Sequence, residues 1–257
     1  MSTTLRHIVA SHSSLSEELP LVHTTRCEIL PCIVANHELR SVNPCDVFHE
    51  HLIYFFYGRP AYRYSVGRDP GGGVELCPVC FVFKPNTLGS MVKRVFACDS
   101  GGVENGHFRP YLEPPDRDEM QLDGTLDSAR KLVPLVFGSN EKYFLGNAST
   151  PAPTGFKVGS AAYRFYMLLT DATMRTADDR RSAIEVQLPS PVSLDHHLLY
   201  IVLPNEVLDR SDVRQAILEI WQCDPIGYDI YMGDSPNSYA SIIREKLKQR
   251  YEEAHRL

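Results

Sequence analysis

The 257-residue sequence predicts an α+β fold. Three observations carry that prediction. Runs of aliphatic, β-branched and aromatic residues at 52–57 (LIYFFY), 76–84 (LCPVCFVFK) and 197–203 (HLLYIVL) have the composition of buried strands. Elsewhere apolar residues recur at helical spacing, as with Val213, Ile217, Ile220 and Trp221 inside 209–223. The two kinds of segment alternate without a regular βαβ rhythm and without an internal repeat, which disfavours a doubly wound parallel sheet.

In chain order, residues 1–19 are rich in Ser, Thr, His and Glu and read as a flexible N-terminal arm, with 20–257 as a single domain. Residues 19–25 (LPLVHTT) form a short apolar run ending in a His23-Thr24-Thr25 turn, with Thr25 able to cap the next helix. Ile29, Leu30, Ile33 and Val34 set that helix at 26–39. A polar loop at 43–51 precedes the strand at 52–57. That strand stops at Gly58, and Arg59 follows at once, pinned by Pro60. The DPGGG run at 69–73 is a turn, and 76–84 is the next strand. Residues 90–98 read as a short helix. Residues 99–123, rich in Gly, Pro and charge, read as a long surface excursion. A helix is predicted at 126–137, bent or ended by Pro134. Residues 147–154 (NASTPAPT) are a loop, and 160–169 suit either a helix or a buried strand. Strands at 182–188, 197–203 and 228–232, and a charged terminal helix at 239–256, complete the order.

Composition narrows the classes of function. A net charge of −6 argues against an extended nucleic-acid surface and leaves room only for a local basic patch. No apolar run approaches the roughly 20 residues of a membrane span, and the N-terminus has no apolar core like a signal peptide's. Seven scattered cysteines, an odd number, suit a reducing cytoplasm.

Three polar residues stand out against apolar strands. Arg59, at the mouth of an aromatic strand, has the fork geometry and permanent charge to grip a phosphate or carboxylate, with Tyr54, Tyr57 and Tyr62 near in sequence to stack or donate. Glu185 sits between Ile184 and Val186; pointing to solvent beside Gln187 it costs nothing, but unpaired in a core it costs several kcal/mol. His23 closes the first apolar run. Cys77-Pro78-Val79-Cys80 has the spacing of half a zinc site, completable by Cys45, His49 or His51, but no second C-x-x-C exists and the flanks read as a buried strand. Asp195-His196-His197 lacks the G-x-S-x-G that a hydrolase would supply.

The order His, Arg, Glu and the contexts of these residues resemble the ADP-ribosyltransferase fold, in particular the toxin branch that modifies nucleic acids, like the DNA-modifying DarT family. VHTTRCEILPCIVANHEL resembles its H-x-T element before a helix. YFFYGRPAYR resembles its aromatic strand leading to an arginine, and SAIEVQLPSPV its late glutamate strand, with Ile184 intervening between Ala183 and Glu185. The resemblance covers roughly 20–66 and 178–203. It implies a split β-sheet core with flanking helices and a long insertion at about 70–175.

The resemblance further implies NAD as co-substrate and a nucleic-acid acceptor, either single-stranded DNA or RNA. It implies Glu185 and Arg59 as catalytic residues. His23, Thr24, Thr25, Tyr54 and Tyr62 would bind NAD. Glu185 would stabilise the oxocarbenium-like state formed as the nicotinamide–ribose bond breaks. Arg59 would bind the diphosphate or position the acceptor. Arg63, Arg68, Lys84, Lys93, Arg94, Arg180 and Arg181 are candidates for the acceptor's backbone. A toxin of this kind, in a toxin–antitoxin or phage-defence setting, implies a neutralising antitoxin or chaperone. The competing expectation is a non-catalytic module that binds a nucleotide or a partner protein.

Overall fold

The computed structural model describes residues 4–62, 73–85, 87–174, 179–231, 234 and 236–257. Its strands are β1 (Leu21–Arg26), β2 (Glu38–Leu39), β3 (Leu52–Tyr57), β4 (Pro78–Phe83), β5 (Arg94–Phe96), β6 (Glu185–Pro189), β7 (Val192–Ser193), β8 (Leu198–Pro204) and β9 (Asp224–Tyr228). Seven of them form one sheet in the order β5-β6-β3-β1-β4-β8-β9, and β2 pairs with β7 apart from it. All neighbours in the large sheet are antiparallel except β8 and β9. The helices are α1 (Leu5–Ala10), α2 (Leu30–Asn36), α3 (Ser100–Glu104), α4 (Leu126–Val136), α5 (Asn140–Phe144), α6 (Ala161–Thr170), α7 (Asn205–Leu208), α8 (Ser211–Gln215) and α9 (Pro236–Glu253). This is the α+β class that the mixed segment pattern predicts.

Strand β4 (PVCFVF) is buried at every residue, the pattern of a central strand covered on both faces. Helix α9 packs against it and against β9. Past α8 the chain continues as a π-helical turn, Ala216–Trp221, which sinks the single tryptophan into the core. Trp221 lies edge-on to Phe81 at 6.2 Å, and its Nε1–H donates to His37 Nδ1 at 3.2 Å.

The sheet opens between β1 and β3. Strand β1 pairs with β4 along its whole length, from Leu21↔Phe83 to Arg26↔Pro78. Strand β3 pairs with β6 from Leu52↔Pro189 to Phe56↔Glu185. Between β1 and β3 the ladder holds only Leu21↔Tyr57 and Val22↔Phe56. Beyond Val22 the two halves part. His23 bridges the gap, its Nδ1 2.8 Å from the Tyr54 carbonyl.

Several expected elements differ. His23, Thr24 and Thr25 are strand residues facing Phe81, Cys80 and Val79, not a turn, because β4 satisfies their backbone. Thr25 therefore caps no helix; a 3-10 turn at Cys27–Ile29 leads into α2, with Arg26 at its cap position and no side-chain bond there. The segment 90–98 contains β5 rather than a helix, since Val95 and Phe96 are captured by β6. The last strand is β9, ending at Tyr228, so of the expected strand 228–232 only Tyr228 is strand and 229–231 is not. Helix α4 runs through Pro134 to Val136, so the proline does not end it; Pro134 lies in the last turn and takes one backbone hydrogen bond from it.

Residues 99–123 are not a surface excursion: Val103, Phe108, Leu112, Met120 and Leu122 are buried. Residues 5–10, read as part of a flexible arm, form α1, whose Leu5, Ile8 and Val9 are buried, and α1 packs on α4. The stretch 70–175 includes β4 and β5, so it contributes to the large sheet itself.

Candidate functional site

A pocket of about 290 Å³ opens where the sheet parts. It is lined by His23 and Thr24 of β1, Tyr54 and Phe56 of β3, Ala61 and Tyr62 beyond it, and Glu185 at the start of β6. Cys45 and Val47 from the loop before β3, Asp99, Ser100 and Gly101 at the start of α3, and Arg180 complete the wall. Tyr54, Phe56 and Glu185 share a face by strand alternation and by the Phe56↔Glu185 register.

Glu185 is 1% exposed, so its burial is not the solvent-facing alternation that its strand context also allowed. Its Oε1 accepts from Ser100 Oγ at 2.7 Å and Gln187 Nε2 at 2.7 Å, and its Oε2 accepts from the Ser100 backbone N–H at 3.1 Å. Burial, reinforced by the Asp99 carboxylate, pushes its carboxyl up to about 8 despite these donors. Asp99 caps α3, accepting from the Gly102 N–H at 3.1 Å, and forms an ion pair with Arg180. Gly102 has to be glycine here: a Cβ would lie 2.5 Å from the Phe108 ring.

His23 donates from Nδ1, because a carbonyl oxygen can only accept. Burial lowers its ring below the ordinary imidazole value, so the neutral tautomer presents Nε2 as an acceptor. Tyr54 spends its hydroxyl on Cys45 Sγ at 2.7 Å, and Val47 N–H also reaches that sulfur at 3.3 Å. Burial raises the Tyr54 and Tyr62 hydroxyls, so both are neutral.

The pocket therefore brings together His23, Thr24, Tyr54, Tyr62 and Glu185 of the residues expected to act. Thr25, which pairs with Val79, does not line it. Nor does Arg59, and that expectation is corrected. Arg59 is 2% exposed and faces the protein: Nη1 donates to the Ser182 carbonyl at 2.9 Å and to Ser182 Oγ at 2.5 Å. Its Nη2 pairs with Asp179 at 3.0 Å, and its guanidinium stands 5.8 Å from the centre of the Tyr143 ring. Gly58 makes this turn possible, with φ +67 and no room for a Cβ beside Leu19. Arg59 thus clamps the end of β3 to the segment leading into β6.

The expected basic contacts are also largely committed. Lys93 and Arg94 pair with Glu50, Arg180 with Asp99, Lys84 donates to the His196 carbonyl and Arg181 to the Leu168 carbonyl. Arg63 and Arg68 lie outside the described residues. Burial pushes the Cys77 and Cys80 thiols up to about 11 and about 12, which disfavours thiolate ligands. Among the described residues no group of three His, Cys, Asp or Glu side chains is placed to hold a metal.

Asp99, Ser100 and Val47 are wall residues that sequence reasoning did not reach, and it reached Cys45 only as a possible metal ligand. The D-S-G-G run at 99–102 is a helix-start signal and could have placed Asp99 and Ser100 at an N-terminus. Nothing in the loop sequence around Cys45 marks it. No protein-family model matches the chain, and no curated protein matches it.

Proposed function

We propose that this protein is an NAD-dependent mono-ADP-ribosyltransferase, acting on a DNA or RNA base and serving as the toxin of a toxin–antitoxin or phage-defence system. One observation supports it above the rest: His23 and Glu185, from distant parts of the chain, line one aromatic-walled pocket at the parting of the sheet. In this reading Tyr54, Phe56 and Tyr62 hold the planar nicotinamide by ring contact. His23 Nε2 accepts from a ribose hydroxyl. Glu185, oriented by Ser100 and Gln187, faces the carbon that turns cationic as nicotinamide leaves, and the acceptor base attacks that carbon. Arg180 lines the same pocket, and its ion pair with Asp99 holds the wall beside Glu185. An antitoxin or chaperone that covers the pocket is the partner this reading requires.

Glu185 must ionise to act, and the positive nicotinamide ring favours the anion when it enters. The rate of NAD consumption is therefore expected to rise with pH along an acid limb set by Glu185. The test is incubation with labelled NAD and single-stranded DNA, RNA or total protein. Transfer of label to nucleic acid is the expected result, abolished by Glu185→Ala with the fold retained. Absence of both transfer and NAD hydrolysis in every arm would overturn the proposal.

A second reading, a non-catalytic nucleotide-binding module, is favoured by the raised Glu185 carboxyl, because a carboxyl that keeps its proton can donate a hydrogen bond. Calorimetry showing NAD binding with no turnover would select it.

A further inference from the structure

We infer that Arg94 is a positioning residue that fixes the side-chain amide of Gln187 so that its NH2 end, not its carbonyl, meets Glu185. The placement stands on hydrogen-bond geometry, and its consequence for catalysis rests on the transferase reading above. Gln187 is fully buried two residues along β6 from Glu185, on the same face. A glutamine amide has nearly the same shape either way round, so its partners choose the orientation. Arg94 lies directly opposite it in the β5–β6 ladder. Arg94 Nη1 is 3.3 Å from Gln187 Oε1, and a guanidinium has only donors, so the carbonyl must face it. Gln187 Nε2 then stands 2.7 Å from Glu185 Oε1 and 3.3 Å from Ser100 Oγ. A flipped amide would set NH2 against guanidinium and oxygen against carboxylate.

Arg94 is itself held. Its Nη2 pairs with Glu50 at 2.7 Å, and its guanidinium carbon lies 4.7 Å from the centre of the Phe48 ring. The chain Glu50–Arg94–Gln187–Glu185 thus carries orientation from a half-exposed ion pair to the pocket floor. Other groups act on Glu185 as well. Ser100 donates to it, Asp99 and Cys98 lie near it across α3 and β5, and Tyr54, His23 and Arg180 share its pocket. Losing Arg94 changes Glu185 in two ways: it withdraws a cation, and it frees the amide. Only the second route passes through Gln187.

The experiment is direct titration of the Glu185 carboxyl by ¹³C NMR, assigned with Glu185→Gln, in wild type, Arg94→Met, Gln187→Leu and the double variant. Arg94→Met and Gln187→Leu are each expected to move the titration upward by about one pH unit, for loss of one hydrogen bond to the anion. In the Gln187→Leu background Arg94→Met is expected to add little. Arg94→Lys, still donor-only, is expected to restore the wild-type titration. If Arg94→Met does not fold, Arg94→Gln replaces it, because a neutral side chain no longer dictates the amide's direction. An unmoved titration, or an equal movement with and without Gln187, overturns the inference. Titration needs no NAD. If the titrations follow the expected pattern in a protein that never consumes NAD, the transferase reading falls and the positioning role stands; an active enzyme with unmoved titrations gives the converse.

Discussion

Burial acts on Glu185 and His23 with opposite sign. Glu185, raised from an ordinary 4.5 to about 8, keeps a proton in the folded protein that the unfolded chain has already released. Its contribution to stability is present below pH 4.5 and lost as pH rises toward 8. His23 is lowered from an ordinary 6.5, so its contribution is present above 6.5 and lost as pH falls below that value. Glu185→Gln, a mimic of the protonated acid, should therefore match wild type in acid and exceed it by an amount that grows through this window, to on the order of a few kcal/mol. Urea unfolding at pH 5 and pH 8.5 checks it; a constant difference at the two pH values would refute it. The sequence revealed that both residues are odd in their settings. It did not reveal what surrounds them, because Asp99 and Ser100 come from a helix start that no strand pattern predicts.

At the scale of elements, Arg59 joins β3 to the chain before β6, and those are the two strands that carry Tyr54 and Glu185. Arg59→Met leaves Asp179 without its closest buried cation, with Arg244 3.4 Å away as a second partner. A loss of about 3 kcal/mol is expected in equilibrium unfolding, the usual cost of breaking a buried pair. A diphosphate-binding arginine on an open surface would instead change NAD affinity and leave stability within about 0.5 kcal/mol of wild type. Gly58→Ala should cost at least about 1 kcal/mol, since alanine meets both a left-handed backbone and Leu19 at 2.5 Å; thermal unfolding reads this.

The sequence announced β3 and the chain break at Gly58 through composition and glycine. It placed Arg59 in a pocket because a one-dimensional string shows where a strand ends and not which way the next side chain turns. The short elements misread at 90–98 and 228–232 have the same cause: partner strands, not local propensity, decided them.

Over the whole molecule, the α+β class was legible because the strand runs are nearly continuous in apolar residues and the helices keep their spacing. The parting of the sheet could not be read from composition, since ladder lengths belong to pairs of strands and leave no mark on either one alone. The parting has a measurable counterpart. A ligand bound to the folded protein alone should raise its stability by mass action, about 2.7 kcal/mol at a concentration one hundred times Kd. NAD should do this for wild type, and should do so far less for a His23→Ala, Glu185→Ala double variant. Equal stabilisation of both would place NAD elsewhere. Among the described residues no helix is long and apolar enough to cross a membrane.

The lone tryptophan gives the chain an optical handle. Trp221 is sealed from water beside Phe81, and the Phe81 ring in turn lies 6.4 Å from that of His23. Its emission should be blue-shifted in the native protein and move to the red in one step as the core opens. Every variant discussed above can therefore be checked for folding by its own fluorescence, without a label. One aromatic ring separates that glow from the edge of the cleft, so a shape change at His23 has a short route to being seen.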